Sequence, residues 1–195
     1  MNTKWFDIYP KSIDIGGRLS PSGAEFFGTS ADALKEGQFV QHWNPSAYYF
    51  CRSPEEDGWP DDVLYEHLGV EVYSKRLVAA LNAAGIADFQ YLPVHVRLTT
   101  GSEVGHYLIA NPIRRVAALD LARSDFDRFG DDWPEGKRGK IWSIRKAVLH
   151  AEALRPYDCI RLDECLSNLF VSERVREVFL DLGVESCVFS EVELT

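Results

Sequence analysis

Residues 172–192 read SERVREVFLDLGVESCVFSEV, and the same pattern occurs once before, at residues 74–94, as SKRLVAALNAAGIADFQYLPV. The two stretches align without a gap at an offset of 98 residues (172 − 74). Ser74 and Ser172, Arg76 and Arg174, Gly85 and Gly183, and Val94 and Val192 are identical pairs. Leu77 faces Val175, Leu81 faces Phe179, Ile86 faces Val184 and Tyr91 faces Phe189. Upstream, Glu66 and Leu68 fall on Glu164 and Leu166 at the same offset.

Each stretch reads as one physical unit. A serine is a good helix N-cap, because its hydroxyl accepts a bond from an orphan amide of the first turn. Apolar residues then recur at 77, 80, 81 and 84, and at 175, 178, 179 and 182. This i, i+3, i+4, i+7 spacing marks a helix with one buried face. Gly85 and Gly183 stand where a left-handed C-cap is needed. The next runs, FQYLPVHV and CVFSEVEL, suit short strands. The unit is therefore cap, amphipathic helix, glycine stop, strand, stated twice.

Working outward, residues 1–62 carry the weakest pattern. Residues 5–9 suit a strand, Gly16-Gly17 and Pro21-Ser22-Gly23 are turn signals, and Ser30 suits the cap of a short helix over 31–36. The aromatic run AYYFC at 47–51 suits a buried strand, and SPEEDGWPDD at 53–62 suits an acidic loop. Beyond the first unit, residues 104–110 are expected to pair back on 88–98 across a turn at 99–102. Residues 115–121, 141–149, 157–162 and 169–171 are further expected strands. In 141–149, Trp142, Ile144 and Val148 share the expected apolar face, and the stretch ARSDFDRFGDDWPEGKRGK before it reads as polar loop. Strands interleaved with helices in mixed order predict a single α+β domain over 1–195, with a mixed or mainly antiparallel sheet carrying the two similar units.

Composition bounds the function. Hydrophobic residues make up 46% of 195, enough for a sizeable core. No apolar run approaches a membrane span, and the start of the chain has no signal-peptide core, so a cytoplasmic protein with reduced cysteines is expected. Cys51, Cys159, Cys165 and Cys187 lack metal or redox spacing and read as small buried apolar residues. A net charge of −9 argues against a general nucleic-acid surface and favours a basic partner, if there is one.

The order SKRL…G…FQYLPV, then HYLIANPIRRVAALDLARSDF, then IWSIRKAVLH, then CIRL…LFVSERVREVFLDLGVESCVFSEV resembles a bacterial family first catalogued as a domain of unknown function. That family was later assigned as immunity proteins of polymorphic toxin systems and includes a Myxococcus-type immunity domain. The most characteristic parts are 107–126, a tyrosine-led strand running into VxAxDxxxSDF, and 171–183. The likeness covers 63–194 and departs at Pro112, where an apolar residue is expected. It implies a non-catalytic protein that binds and neutralises a cognate toxin, with no catalytic residues to carry over.

The search for chemistry agrees with that implication. His42, His67, His95, His106 and His150 form no HExxH pattern, and no GxSxG or phosphate-loop motif is present. His95 and His106 meet across the expected hairpin. With Cys187 or Glu191 they would imitate a metal site, but two strand histidines with ordinary hydrogen bonds are the expectation, and neither metal nor cofactor is expected. The alternative function is a small cytoplasmic, hydrolase-like enzyme with a site near His95 and His106. A basic cluster, Lys137, Arg138, Lys140, Arg145 and Lys146, reads as a solvated edge strand. The expected partner-binding residues lie in two acidic loops that each hold a Trp-Pro: Trp59 with Glu55, Glu56 and Asp57, and Trp133 with Asp131, Asp132 and Glu135. A large aromatic group surrounded by carboxylates is the anatomy of a hot spot for a basic toxin.

Overall fold

The computed structural model describes residues 4–11, 20–52, 61–64 and 69–195. The sequence expectations at Gly16 and Gly17, at Glu55, Glu56, Asp57 and Trp59, and at Glu66 and Leu68 lie outside the described residues. In chain order the elements are β1 (Trp5–Pro10), β2 (Ser20–Glu25), α1 (Ala31–Lys35), β3 (Tyr48–Arg52), β4 (Val63–Leu64), β5 (Val72–Ser74), α2 (Lys75–Ala83), β6 (Phe89–Leu98), β7 (Glu103–Pro112) and β8 (Arg115–Val116). They continue with β9 (Asp125–Arg128), β10 (Ile141–Lys146), β11 (Val148–Leu149), α3 (Ala151–Leu154), β12 (Cys159–Leu162), β13 (Leu169–Ser172), α4 (Glu173–Asp181), β14 (Cys187–Glu191) and β15 (Glu193–Leu194). The class is α+β. No helix among the described residues is long and apolar enough to cross a membrane.

The two stretches fold alike. Ser74 and Ser172 are both extended N-caps, and Gly85 and Gly183 are both left-handed, at φ 75° and 70°. Behind each glycine the same bonds close the helix. Gly85 N donates to Asn82 O (3.0 Å) and Ile86 N to Leu81 O (3.0 Å). Gly183 N donates to Leu180 O (2.9 Å) and Val184 N to Phe179 O (3.0 Å). This is a Schellman end, with its apolar contact between the residue after the glycine and the last buried helical residue. The N-terminal caps differ in one respect. Ser74 Oγ accepts from Leu77 N (3.1 Å), whereas Ser172 makes no side-chain cap bond. What the two share is an aspartate. Ser74 Oγ donates to Asp62 (2.5 Å) and Ser172 Oγ to Asp158 (2.7 Å), while Arg76 and Arg174 pair with the same carboxylates.

Pairing extends the likeness beyond the aligned residues. A six-stranded sheet runs β2-β3-β6-β7-β5-β4 and a five-stranded sheet β14-β1-β13-β12-β8. The series β6-β7-β5-β4 in one is matched by β14-β1-β13-β12 in the other. β1 thus occupies in the second unit the place that β7 occupies in the first. The register agrees: Leu108 faces Pro93 and Ala110 faces Tyr91, as Phe6 faces Glu191 and Ile8 faces Phe189.

Alternation divides the side chains of each sheet between two cores. Phe6, Ile8, Tyr73, Phe89, Leu169 and Val171 join Leu77, Leu81, Val175 and Phe179 in one core shared by both helices and both sheets. Leu92, Val94 and Val96 face the other way, onto Leu34 of α1. Trp5 and Phe170 do the same on the five-stranded sheet, onto Leu154 of α3. Three side chains tie the units together, among them Arg174, which donates to Ala84 O (2.6 Å) at the end of α2. Asp88 accepts from the amides of Asp158 (2.6 Å) and Cys159 (3.2 Å), and the buried Arg161 donates to Gly69 O (3.1 Å). Cys51, Cys159 and Cys165 are buried thiols, and none of the four cysteines is in a disulfide.

Four expectations of local structure need correction, the first being the turn at Pro21-Ser22-Gly23, since these residues lie within β2. Residues 115–121 form only β8 and an isolated bridge from Leu119 to Leu149. The expected polar loop contains a strand, β9, paired antiparallel with β10. Residues 141–149 break at Ala147, and two register shifts in β10 throw the alternation out of step. Trp142 is therefore 52% exposed and not on the buried face. Each inserted residue moves the later side chains of its strand to the opposite face.

Candidate functional site

The hairpin β9–β10 carries Trp133, the one of the two expected Trp-Pro tryptophans that lies among the described residues. Its connecting loop, 129–140, is closed by Phe129 N to Lys140 O (3.0 Å) and Gly139 N to Phe129 O (2.9 Å). Within it Trp133 N donates to Gly130 O (3.3 Å), Lys137 N to Pro134 O (2.8 Å) and Arg138 Nε to Trp133 O (2.7 Å). The loop is thus held by its own backbone bonds. Trp133 leans on Phe129 with ring centroids 4.7 Å apart, and Trp142 lies 6.3 Å from Phe129. The ammonium of Lys137 sits 5.5 Å from the Trp133 ring, within cation–π range. Trp133 keeps 43% of its surface exposed. Asp131, Asp132 and Glu135 are exposed around it.

The basic cluster is an edge strand only in part. Lys137, Arg138 and Lys140 lie in the loop, and only Arg145 and Lys146 lie on β10. Arg145 is clasped by Asp125 and Asp127, which holds the Asp125 carboxyl below its ordinary range. Lys146 pairs with Glu193 at 3.0 Å. The aromatic tip therefore stands on a base whose cations are already matched. Trp142, which completes the platform, escaped sequence reasoning because the alternation that placed it in the core ignored the bulge.

A second constellation lies on the six-stranded sheet, near the turn that joins β6 to β7. His95 and His106 are directly opposed on β6 and β7, with ring centroids 5.1 Å apart. Glu103 Oε1 lies 3.0 Å from His95 Nδ1. The ligand atoms of His95, Glu103 and His106 all fall within 4.8 Å of one another. Tyr48 packs on the His95 ring at 5.5 Å, and Arg97 lies over Tyr48 at 3.8 Å while donating to its hydroxyl (2.9 Å). The expected histidine encounter occurs, but its third member is Glu103, not Cys187 or Glu191. Those two lie on β14 in the other sheet.

The family model described as Immunity protein family (Imm11) matches residues 18–194. It reaches well into the N-terminal part that the sequence motifs left unmatched. No curated protein matches the chain.

Proposed function

Because this chain belongs to the immunity protein family Imm11, we propose that it binds and neutralises a cognate bacterial toxin in the cytoplasm, by contact and without catalysis. The observation that carries the reading is the extent of the match, 18–194 of 195 residues. The hairpin tip suits the contact. Trp133, Trp142 and Phe129 offer large rings whose ordering costs little side-chain entropy, on a loop already held by its own hydrogen bonds. Asp131, Asp132 and Glu135, in a chain of net charge −9, suit a basic toxin surface. In the same proposal Trp59, with Glu55, Glu56 and Asp57, forms a second part of the contact.

The experiment begins from the neighbouring gene, since immunity proteins are generally encoded beside their toxins. Expression of that gene product is expected to arrest growth, and co-expression of this chain to relieve the arrest. Growth arrest without relief would overturn the reading. For the purified pair, Trp133→Ala and Trp142→Ala are each expected to weaken binding by about 2 kcal/mol with the fold intact. Neutralising Asp131, Asp132 and Glu135 is expected mainly to slow association and flatten its salt dependence. Unchanged affinity and on-rate in all these variants would place the contact elsewhere.

A further inference from the structure

We propose that His95, Glu103 and His106 form a binding site for one divalent transition-metal ion of the zinc class. The proposal does not rest on toxin binding. It rests on how the backbone brings three ligands to one face.

The amide of His95 donates to Ala47 O (2.9 Å), so it points away from β7. His95 and His106 are therefore a non-hydrogen-bonded antiparallel pair, the kind whose side chains approach most closely. The carboxylate arrives by a bulge. Val96 pairs with Gly105, but Arg97 pairs with Glu103, so β7 carries one extra residue here. In unbroken register Val104 would stand opposite Arg97 and share the histidine face. The bulge sends Val104 to the core behind the sheet and turns Glu103 outward beside the histidines. Gly105 has φ +152°, a conformation that L side chains rarely adopt, which explains a glycine at this point.

The donor set suits the ion. Two imidazoles and one carboxylate form a common protein ligand set for zinc with an open position, and also suit iron and nickel. Ligand atoms at 2.0–2.1 Å from a tetrahedral ion stand about 3.3 Å apart. The widest pair here, at 4.8 Å or less, needs a contraction of about 1.5 Å or less. Rotation of the exposed Glu103 and His106 side chains supplies that movement. The positive charge of Arg97, which also acts on Glu103, is drawn onto the Tyr48 ring and hydroxyl. The same Tyr48 ring supports His95.

The test is titration of the full chain with Co²⁺ and Zn²⁺, read by calorimetry and by the Co²⁺ ligand-field spectrum. One ion per chain is expected, with Zn²⁺ displacing Co²⁺. His95→Ala and His106→Ala should each weaken binding by about 100-fold, and Glu103→Gln by about 10-fold. Gly105→Ala keeps every ligand but disturbs the bulge, and is expected to weaken binding by about 10-fold as well. The pair His42→Ala and His150→Ala should leave affinity and spectrum unchanged, as should Trp133→Ala. Circular dichroism of each variant checks that the fold persists. Absence of a one-to-one site, or wild-type affinity in both His95→Ala and His106→Ala, would overturn the proposal. So would equal loss in the His42 and His150 control.

Discussion

Asp7 lies on β1 at the place where the matching strand β7 carries Ile109. Burial pushes its carboxyl up from 3.8 to about 6, opposed by a bond from Asn168 Nδ2 (2.9 Å). A folded-state value above the ordinary one means that the folded protein holds this proton more tightly than the unfolded chain does. Its contribution therefore favours folding below about pH 4 and is lost as pH rises through about 6. Asp7→Asn keeps the acceptor for Asn168 without the charge. It is expected to stabilise the protein by about 1–3 kcal/mol at pH 7.5, with the gain vanishing near pH 4. Urea melts across that range check it, and a pH-independent gain would show that the charge is not the cause. Asp62 behaves in the opposite sense. Burial raises its pKa, but the bonds from Arg76 and Ser74 outweigh burial and hold it below 3.8. Its contribution is present above pH 4 and fades in acid.

At the scale of the element, α2 and α4 owe their lengths to local chemistry and their stability to a shared core. Leu81 and Phe179 are both fully buried at the centres of their stripes, and Phe179 meets Tyr73 and Phe189 edge-on at 5.7 and 5.5 Å. Truncation of either to Ala is expected to cost about 2–5 kcal/mol, because close-packed surroundings leave a cavity. Leu180, on the other face of α4, is 50% exposed, and Leu180→Ala should cost less than about 0.5 kcal/mol. Denaturant midpoints of the three variants decide it, and a loss below about 1 kcal/mol at both buried sites would contradict the shared core. The cap positions, stripes and glycine stops of both helices were legible in the residues alone, although only Ser74 makes the expected cap bond. The aspartate clasp was not, because Asp62 and Asp158 stand 12 and 14 residues before their serines, and nothing in that spacing announces a hydrogen bond.

At the scale of the molecule, the second unit is completed by a strand from the far end of the chain. β1 lies between β14 and β13, and Trp5, Phe6 and Ile8 are each less than 5% exposed. Deleting residues 1–11 leaves two strands with unpaired backbone groups and opens two cores at once. The truncated chain is expected to lose its cooperative thermal transition and its near-ultraviolet dichroism, while the point variants above retain both. A truncated chain that melts near the wild-type temperature would show that β1 is dispensable. Asp88 and Arg161 bond across the units, so the loss is expected to spread to α2 as well as α4.

Residues 74–94 and 172–192 by themselves determined two helices with their ends, because capping, a 3.6-residue stripe and a left-handed glycine are interactions among neighbours in sequence. The motif order in 63–194 was likewise enough to point to the immunity family. Tertiary structure alone decided that β1 substitutes for a second copy of β7, since its partners stand more than 150 residues away and leave no mark on its own composition. It alone decided that Asp125–Arg128 is a strand, because a charged run gains pairing only from β10 beside it. It also placed Trp142 outside and Glu103 beside two histidines. Each of those side chains was turned by a register shift, and a single extra residue reverses the alternation from which a sequence is read.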